Sequence, residues 1–208
     1  MMRKPETLTA LEELGRIRLS RSFYMREFLY SEIAAMHGLA NVPDDPELAV
    51  HVGRSLCENL LEPLQERFGR IAIRSAYRSC AVNEFGNSKG LNCASNASNY
   101  ARHIWDRPDA QGRHGAMVCI VVPWFADRYA EGEDWRALAW WIHDHLPYSS
   151  LYFFPKLAAF NIGWHEVPER RIDSYVAPRG CLTRPGMPGH EGSHRALYAN
   201  LLAMREAI

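Results

Sequence analysis

The sequence predicts an α+β domain in which helices cover one face of a central, mostly antiparallel sheet. Three observations carry this expectation. Three helical patterns precede the first strand-like run, which places helices in a layer against the sheet. The run Gly115 to Val122 is continuously apolar and ends at Pro123, as a central strand covered on both sides does. A chain of 208 residues, 47% apolar and 23% charged, has the size and composition to bury one sizeable core. A single domain is expected over residues 1–208: a helical part at 1–69, a sheet-containing core at 70–188 and a C-terminal helix at 189–208.

Taken in order, Leu8, Leu11, Leu14 and Ile17 mark a first helix over 7–18, with Thr7 as its cap. A second helix is expected from Met25 to His37, with Gly38 as its stop. Asp44, Asp45 and Pro46 open a long helix whose face is Leu48, Val52, Leu56, Leu60, Leu64 and Phe68, ended by Gly69. Arg70 to Ser75 reads as a short buried strand that turns into a helix capped by Ser79. Residues 86–99 are rich in Asn and Ser and form a long irregular segment of the kind that carries function. Helices at 124–130 and 135–145 and strands at 151–154 and 160–165 follow. Residues 168–188 read as loop, and Ser193 caps a last helix reaching about Ala207.

Composition removes several classes of function. Twenty-four basic residues balance twenty-four acidic ones, so no electrostatic footprint for nucleic acid exists. No stretch approaches the roughly 18 to 20 apolar residues of a membrane span. The opening Met1-Met2-Arg3-Lys4-Pro5-Glu6 lacks the pattern of a signal peptide, and Cys57, Cys80, Cys93, Cys119 and Cys181 show no paired spacing. A cytoplasmic protein with free thiols is the expectation.

Arg78 stands at the end of the first strand, where a rigidly held guanidinium suits a carboxylate or a developing oxyanion; it could equally staple the turn through carbonyls. Around it the chain resembles a known family. Leu61-Glu62-Pro63-Leu64, Phe68-Gly69, Ser75-Ala76-Tyr77-Arg78-Ser79 and Asn83, in that order, resemble the opening half of the D-alanyl-D-alanine carboxypeptidase and endopeptidase family. The upstream His37-Gly38-Leu39-Ala40-Asn41-Val42-Pro43 resembles that family's leading loop. The resemblance covers residues 23–85 well and the rest in outline. It implies the fold shared by lysostaphin-type enzymes and the hedgehog signalling domain, and a Zn²⁺-dependent hydrolase acting on a small peptide or peptidoglycan fragment. It also implies substrate contacts at Ser75 and Tyr77, and a phage-encoded origin or intracellular recycling would reconcile such a substrate with the cytoplasm.

Carried over by position, the resemblance implies metal ligands at His103, after the Asn/Ser-rich segment, and at His165 of the Trp164-His165 pair. Three protein ligands and a water would complete a hydrolytic zinc site. The sequence departs from the family at the third ligand, where Cys119 stands in place of an acid. Cys119 as thiolate or Asp106, three residues after His103, are the two candidates; a small buried hydrophobe and a solvated loop acid are their ordinary roles. A ligand set so altered would suit Fe²⁺ as the alternative metal. The family's usual general base is replaced by Ile162. Glu166 is one candidate base, but it adjoins His165 and so points to the opposite face of a strand; His143, with Asp144 and His145 at the end of a helix, could supply a base near the metal or simply interact with the helix dipole. His190-Glu191-Gly192-Ser193-His194 matches the H-E-x-x-H pattern, yet Gly189 and Gly192 argue for a loop, where the motif cannot work. The missing acid and base support an alternative to hydrolysis: a peptidase-like scaffold serving as a binding or regulatory module.

Overall fold

The computed structural model describes residues 2–206, which form an α+β arrangement around one six-stranded mixed sheet. The helical part contains α1 (Leu8–Gly15), α2 (Glu32–His37), α3 (Pro46–Leu56) and α4 (Glu62–Phe68). Thr7 caps α1 through its hydroxyl, and Asp45 caps α3 in the same way ahead of Pro46 at the first turn. The expected helix from Met25 to His37 is broken. Met25–Phe28 is a 3-10 turn, and α2 starts afresh because the Ser31 hydroxyl accepts from Ala34 N–H. Gly38 ends α2 with φ 64°, the left-handed conformation that glycine adopts without steric cost.

The sheet is built from β1 (Ala72–Ser75), β2 (Gly115–Val121), β3 (Ser150–Phe153), β4 (Phe160–His165), β5 (Arg171–Ser174) and β6 (Gly180–Thr183). Its order is β1-β2-β4-β3-β5-β6, with every pairing antiparallel except β3 with β5. The last two strands lie where a loop is expected from sequence. Each is four residues long and contributes one apolar residue inward, Ile172 and Leu182. Between β1 and β2 run α5 (Cys80–Ser88), capped by Ser79, and the short α6 (Asn96–Asn99). Helices α7 (Pro123–Ala130) and α8 (Trp135–His145) follow β2, and α9 (Ala199–Glu206) ends the described chain. Ser193 does not cap it: a 3-10 turn at Arg195–Leu197 intervenes. The expected terminus at Ala207 lies outside the described residues.

One face of the sheet is the core. Ala116, Val118, Ile120, Leu151, Phe153, Phe160, Ile162 and Ile172 meet Val52, Leu56, Leu60, Leu64 and Phe68 from α3, α4 and the segment between them, and Leu138 and Ile142 from α8. The alternate residues of the same strands point to the other face, as a period of two requires. There, α7 covers only the Val121 end, through a small cluster of Val121, Ala126 and Ala159. The other residues of the row across that face, Ser75, Cys119, Asn161, Tyr152, Asp173 and Cys181, are half-buried.

Two polar side chains tie the helices to this frame. The amide of Asn41 donates to the carbonyls of Leu29 and Tyr77, both at 2.9 Å, and accepts from Ser79 N–H at 2.8 Å. Glu62, buried at the start of α4, accepts from the hydroxyls of Ser20 at 2.8 Å and Ser22 at 2.9 Å and pairs with Arg21 at 3.4 Å. Burial pushes the Glu62 carboxyl up, but these hydrogen bonds and the Arg21 charge outweigh it and hold the group below its usual range. A depressed carboxyl contributes stability that is present above the unfolded-state value of about 4.3 and is lost as pH falls through the folded one. Denaturant titrations of Glu62→Gln are therefore expected to show a lower plateau at neutral pH and a shallower loss of stability below about pH 4.3 than the parent chain.

Candidate functional site

The turn between β1 and α5 places Arg78 at the edge of the open sheet face. Its main-chain N–H donates to the His103 carbonyl at 2.8 Å. Its guanidinium donates to Cys93 Sγ at 3.2 Å and Ser75 Oγ at 3.1 Å, so neither a carboxylate nor a carbonyl holds it. Tyr77 is fully buried with its hydroxyl turned toward Asp106, which removes it from any substrate contact. Ser75 stays half-buried on the open face, in register with Cys119.

The four residues expected to hold a metal have separate tasks. His103 is buried, and its Nδ1–H donates to the Ala76 carbonyl at 2.8 Å. Burial, with the nearby Arg78 charge, lowers its pKa to about 3, so the ring is neutral. Asp106 is also buried. One of its oxygens accepts from the main-chain N–H of Asp44 at 2.6 Å and of Asp45 at 3.3 Å, at the entrance to α3, while the other has no hydrogen-bond partner. Burial raises its pKa against those two hydrogen bonds. Cys119 lies on the open face of β2, where burial pushes the thiol up to about 11 against the charges of Arg74 and Arg78. It is a thiol at neutral pH, whereas the thiolate is the ligand.

His165, at the end of β4, meets the Asp109 carboxylate through Nε2 at 3.3 Å. Its Nδ1 lies 2.8 Å from the Val167 carbonyl and 3.1 Å from the Val167 nitrogen. Both ring nitrogens therefore face protein groups. Among the described residues, no three His, Cys, Asp or Glu side chains stand where one ion would be held. In this geometry His103, Asp106, Cys119 and His165 do not form one donor set of three for zinc or iron.

The two candidate bases, Glu166 and His143, each make contacts of their own. Glu166 is exposed and accepts from His114 N–H at 2.7 Å and meets His114 Nδ1 at 3.1 Å; the His114 hydrogen bonds hold its carboxyl below the usual range. His143 belongs to a different place. Its Nδ1 meets the Tyr148 hydroxyl at 2.7 Å and its Nε2 the His190 carbonyl at 2.8 Å, and burial lowers its pKa. The H-E-x-x-H run lies in a loop, as its glycines imply. His194 ties that loop to α8, with Nδ1 at 2.6 Å from Asp144 and Nε2 at 2.7 Å from the Gly189 carbonyl, stacked on Trp140 with ring centroids 4.1 Å apart.

What the fold does assemble is a cleft of about 500 Å³ over the Gly115 and His165 ends of β2 and β4. Residues 97–113 form one wall, and β3, β4 and residues 167–169 the other. Two polar pairs lace the walls, His165 with Asp109 and Arg102 with Glu169 at 2.6 Å, while His114 pairs with Glu166 outside the lining. Gly115 is required beneath them, because a Cβ there would strike the Ala101 carbonyl and approach the His165 ring to 2.7 Å. Ser98, Tyr100, Ser149 and Ser150 add hydroxyls to the lining. Arg113 lines the rim with a guanidinium that makes no hydrogen bond or ion pair among the described residues. Asp109, Arg102, Arg113 and Glu169 escape a reading of sequence. The only local signal is the turn-forming Asp106-Arg107-Pro108-Asp109 run, in which the Asp109 carboxylate accepts from Gln111 and Arg113 N–H.

The chain matches no protein-family model, no curated protein and no solved structure.

Two variants separate structural from metal-binding roles at this site. Asp106→Asn keeps an oxygen for the Asp44 and Asp45 N–H groups and supplies an N–H for the Tyr77 hydroxyl. It is expected to melt at or above the parent temperature, whereas Asp106→Ala costs about 1–3 kcal/mol. The neutral His103 has its own signature. The unfolded chain takes up a proton at this residue below about pH 6.5, while the folded one does not until about pH 3. Stability therefore falls as pH drops through that window, and His103→Asn, which retains a donor for the Ala76 carbonyl, is expected to flatten the fall in urea titrations.

Proposed function

We propose that the chain is a peptidase-like scaffold that binds a ligand without hydrolysing it, the cleft beside His165 receiving a small peptide or peptide-like molecule. The observation that carries this reading is the setting of the His165 ring, whose Nδ1 lies against the Val167 main chain and whose Nε2 faces the Asp109 carboxylate at 3.3 Å, with no group of three His, Cys, Asp or Glu side chains placed to hold an ion among the described residues. The antiparallel β1, β2 and β4, with Arg78 at the tip of β1 and the Trp164-His165 pair closing β4, support the peptidase-like part of the reading. The cleft offers a binding surface of matching chemistry. Hydroxyls and the Arg102–Glu169 pair present both donors and acceptors to an amide backbone, and Arg113 presents an exposed cation for a carboxylate.

Zinc hydrolysis has one observation in its favour. Donation from His103 Nδ1 to a carbonyl leaves Nε2 as the basic nitrogen, the tautomer that metal-ligating histidines adopt. Metal analysis of chain purified without added salts, then dialysed against zinc, decides between the readings. Sub-stoichiometric zinc and no cleavage of D-alanyl-D-alanine are expected; stoichiometric zinc lost in both His103→Ala and His165→Ala would overturn the binding reading. In calorimetric titrations with an acyl-D-alanyl-D-alanine peptide, Arg113→Ala is expected to weaken binding about tenfold or more, the worth of one charge-assisted hydrogen bond.

A further inference from the structure

The open face of the sheet carries one row across all six strands: Ser75, Cys119, Asn161, Tyr152, Asp173 and Cys181 are successive register partners. Each is half-buried, so the row is a shallow, accessible track and not a second core. Its β3–β5 end is aromatic. Tyr152 lies against Tyr175 with ring centroids 4.6 Å apart and against Phe154 at 5.7 Å, and Phe154 and Tyr175 are 5.8 Å apart. Phe154 is anchored from behind by the Val121, Ala126 and Ala159 cluster, while Tyr175 is 53% exposed. Three rings thus form a supported apolar surface open to solvent.

The rim of that surface is polar and carries no net charge. Arg171 grips the Asp173 carboxylate with two hydrogen bonds of 2.6 and 2.8 Å, cancelling its charge while leaving lone pairs outward. Asn161, one strand from Tyr152 on the other side, has a side-chain amide with no hydrogen bond among the described residues. Its amide is not among the buried polar atoms left without a partner, so donor and acceptor both face solvent and are open to a ligand. Adjacent strands lie about 4.8 Å apart, so Asn161 and Asp173 flank the Tyr152 ring at a separation that a six-membered sugar ring can bridge.

We propose that this surface is a saccharide platform: a neutral pyranose lays its C–H face on Tyr152 and Tyr175 while its hydroxyls bond to the Asn161 amide and the Asp173 carboxylate. The chemistry discriminates among occupants. A charged ligand meets a rim already neutralised, and a wholly apolar one leaves the Asn161 amide unpaired. A ring with apolar faces and an equator of hydroxyls satisfies both parts. None of Tyr152, Phe154, Asn161, Asp173 or Tyr175 lines the His165 cleft, so the platform is a second site on the same face and goes beyond the peptide-binding reading.

The test is titration of the full, ¹⁵N-labelled chain with three neutral tetrasaccharides, cellotetraose, maltotetraose and chitotetraose, followed by amide shifts. At least one is expected to bind, with the shifted amides grouped at 152–154, 161 and 173–175. Tyr175→Ala, which alters a mostly exposed side chain, is expected to weaken that binding by about tenfold or more. Asn161→Ala is expected to do the same with the remaining spectrum unchanged. The proposal is overturned if none of the three binds, if the shifts gather at Arg113 and His165, or if Tyr175→Ala binds as the parent does. Equal binding of phenylalanine amide at these rings would also overturn it, by marking a generic aromatic patch. Failure here leaves peptide binding by the Arg113 cleft standing, since that reading is measured with a different ligand and variant.

Discussion

The four residues Ala76 to Ser79 are the joint on which the structure depends, because the helical part and the sheet meet there and main-chain polar groups are buried in doing so. Such groups must find partners, and here two side chains from distant segments supply them. Asn41 takes the Tyr77 carbonyl and the Ser79 N–H; His103 takes the Ala76 carbonyl with its ring and the Arg78 N–H with its own carbonyl. The strand-to-helix turn is thereby cross-linked to the loop after α2 and to the segment before β2. Its stiffness holds Arg78 at the sheet edge with neutral partners only. It also gives the imidazole at residue 103 a structural task.

Much of the architecture was legible from periodicity and caps. Thr7, Asp45 and Ser79 each sit at a helix start and accept the N–H their position predicts, and the apolar run of β2 becomes an interior strand, second from one edge of the sheet. The failures have physical reasons. The pattern from Met25 to His37 looks continuous because its apolar residues recur at helical spacing, but Ser31 offers its hydroxyl to Ala34 N–H and starts a new helix. β5 and β6 are nearly silent in sequence, since strands of four residues at one end of the sheet each need only one inward apolar residue. At the site, residue type was a poor guide to partner. Asp106, His103 and Cys119 have the chemistry of ligands, yet burial and neighbouring main-chain groups decide their use, and those contacts are long-range.

The Asn-rich segment illustrates the same point from the other side. Asn83 is wholly buried and donates to the Ala94 carbonyl and to Asn96 Oδ1 while accepting from Asn99; Asn87 donates to the Cys93 carbonyl. Amides that read in sequence as an irregular functional segment serve as its internal scaffold, each carrying donor and acceptor enough to replace regular pairing. The segment so stiffened leads into the wall of the cleft. Placement of Arg102, Asp109 and Arg113 thus rests on a network begun at α5.

The long helix running into β1 contains one wider turn, a π segment at Cys57–Leu61 between α3 and α4. Its inward residues, Leu48, Val52, Leu56, Leu60, Leu64 and Phe68, are spaced by four, and each such step overshoots a regular turn by about 40°. Without relief the apolar stripe would wind off the sheet before reaching Phe68; the widened turn absorbs part of that drift. The same widening sets the azimuth at which Glu62 meets Ser20 and Ser22. Losing one residue there would rotate everything downstream by about 100°, swinging the carboxylate off its hydroxyls and Phe68 off Trp141. This helix can therefore drift in composition across generations but not in length.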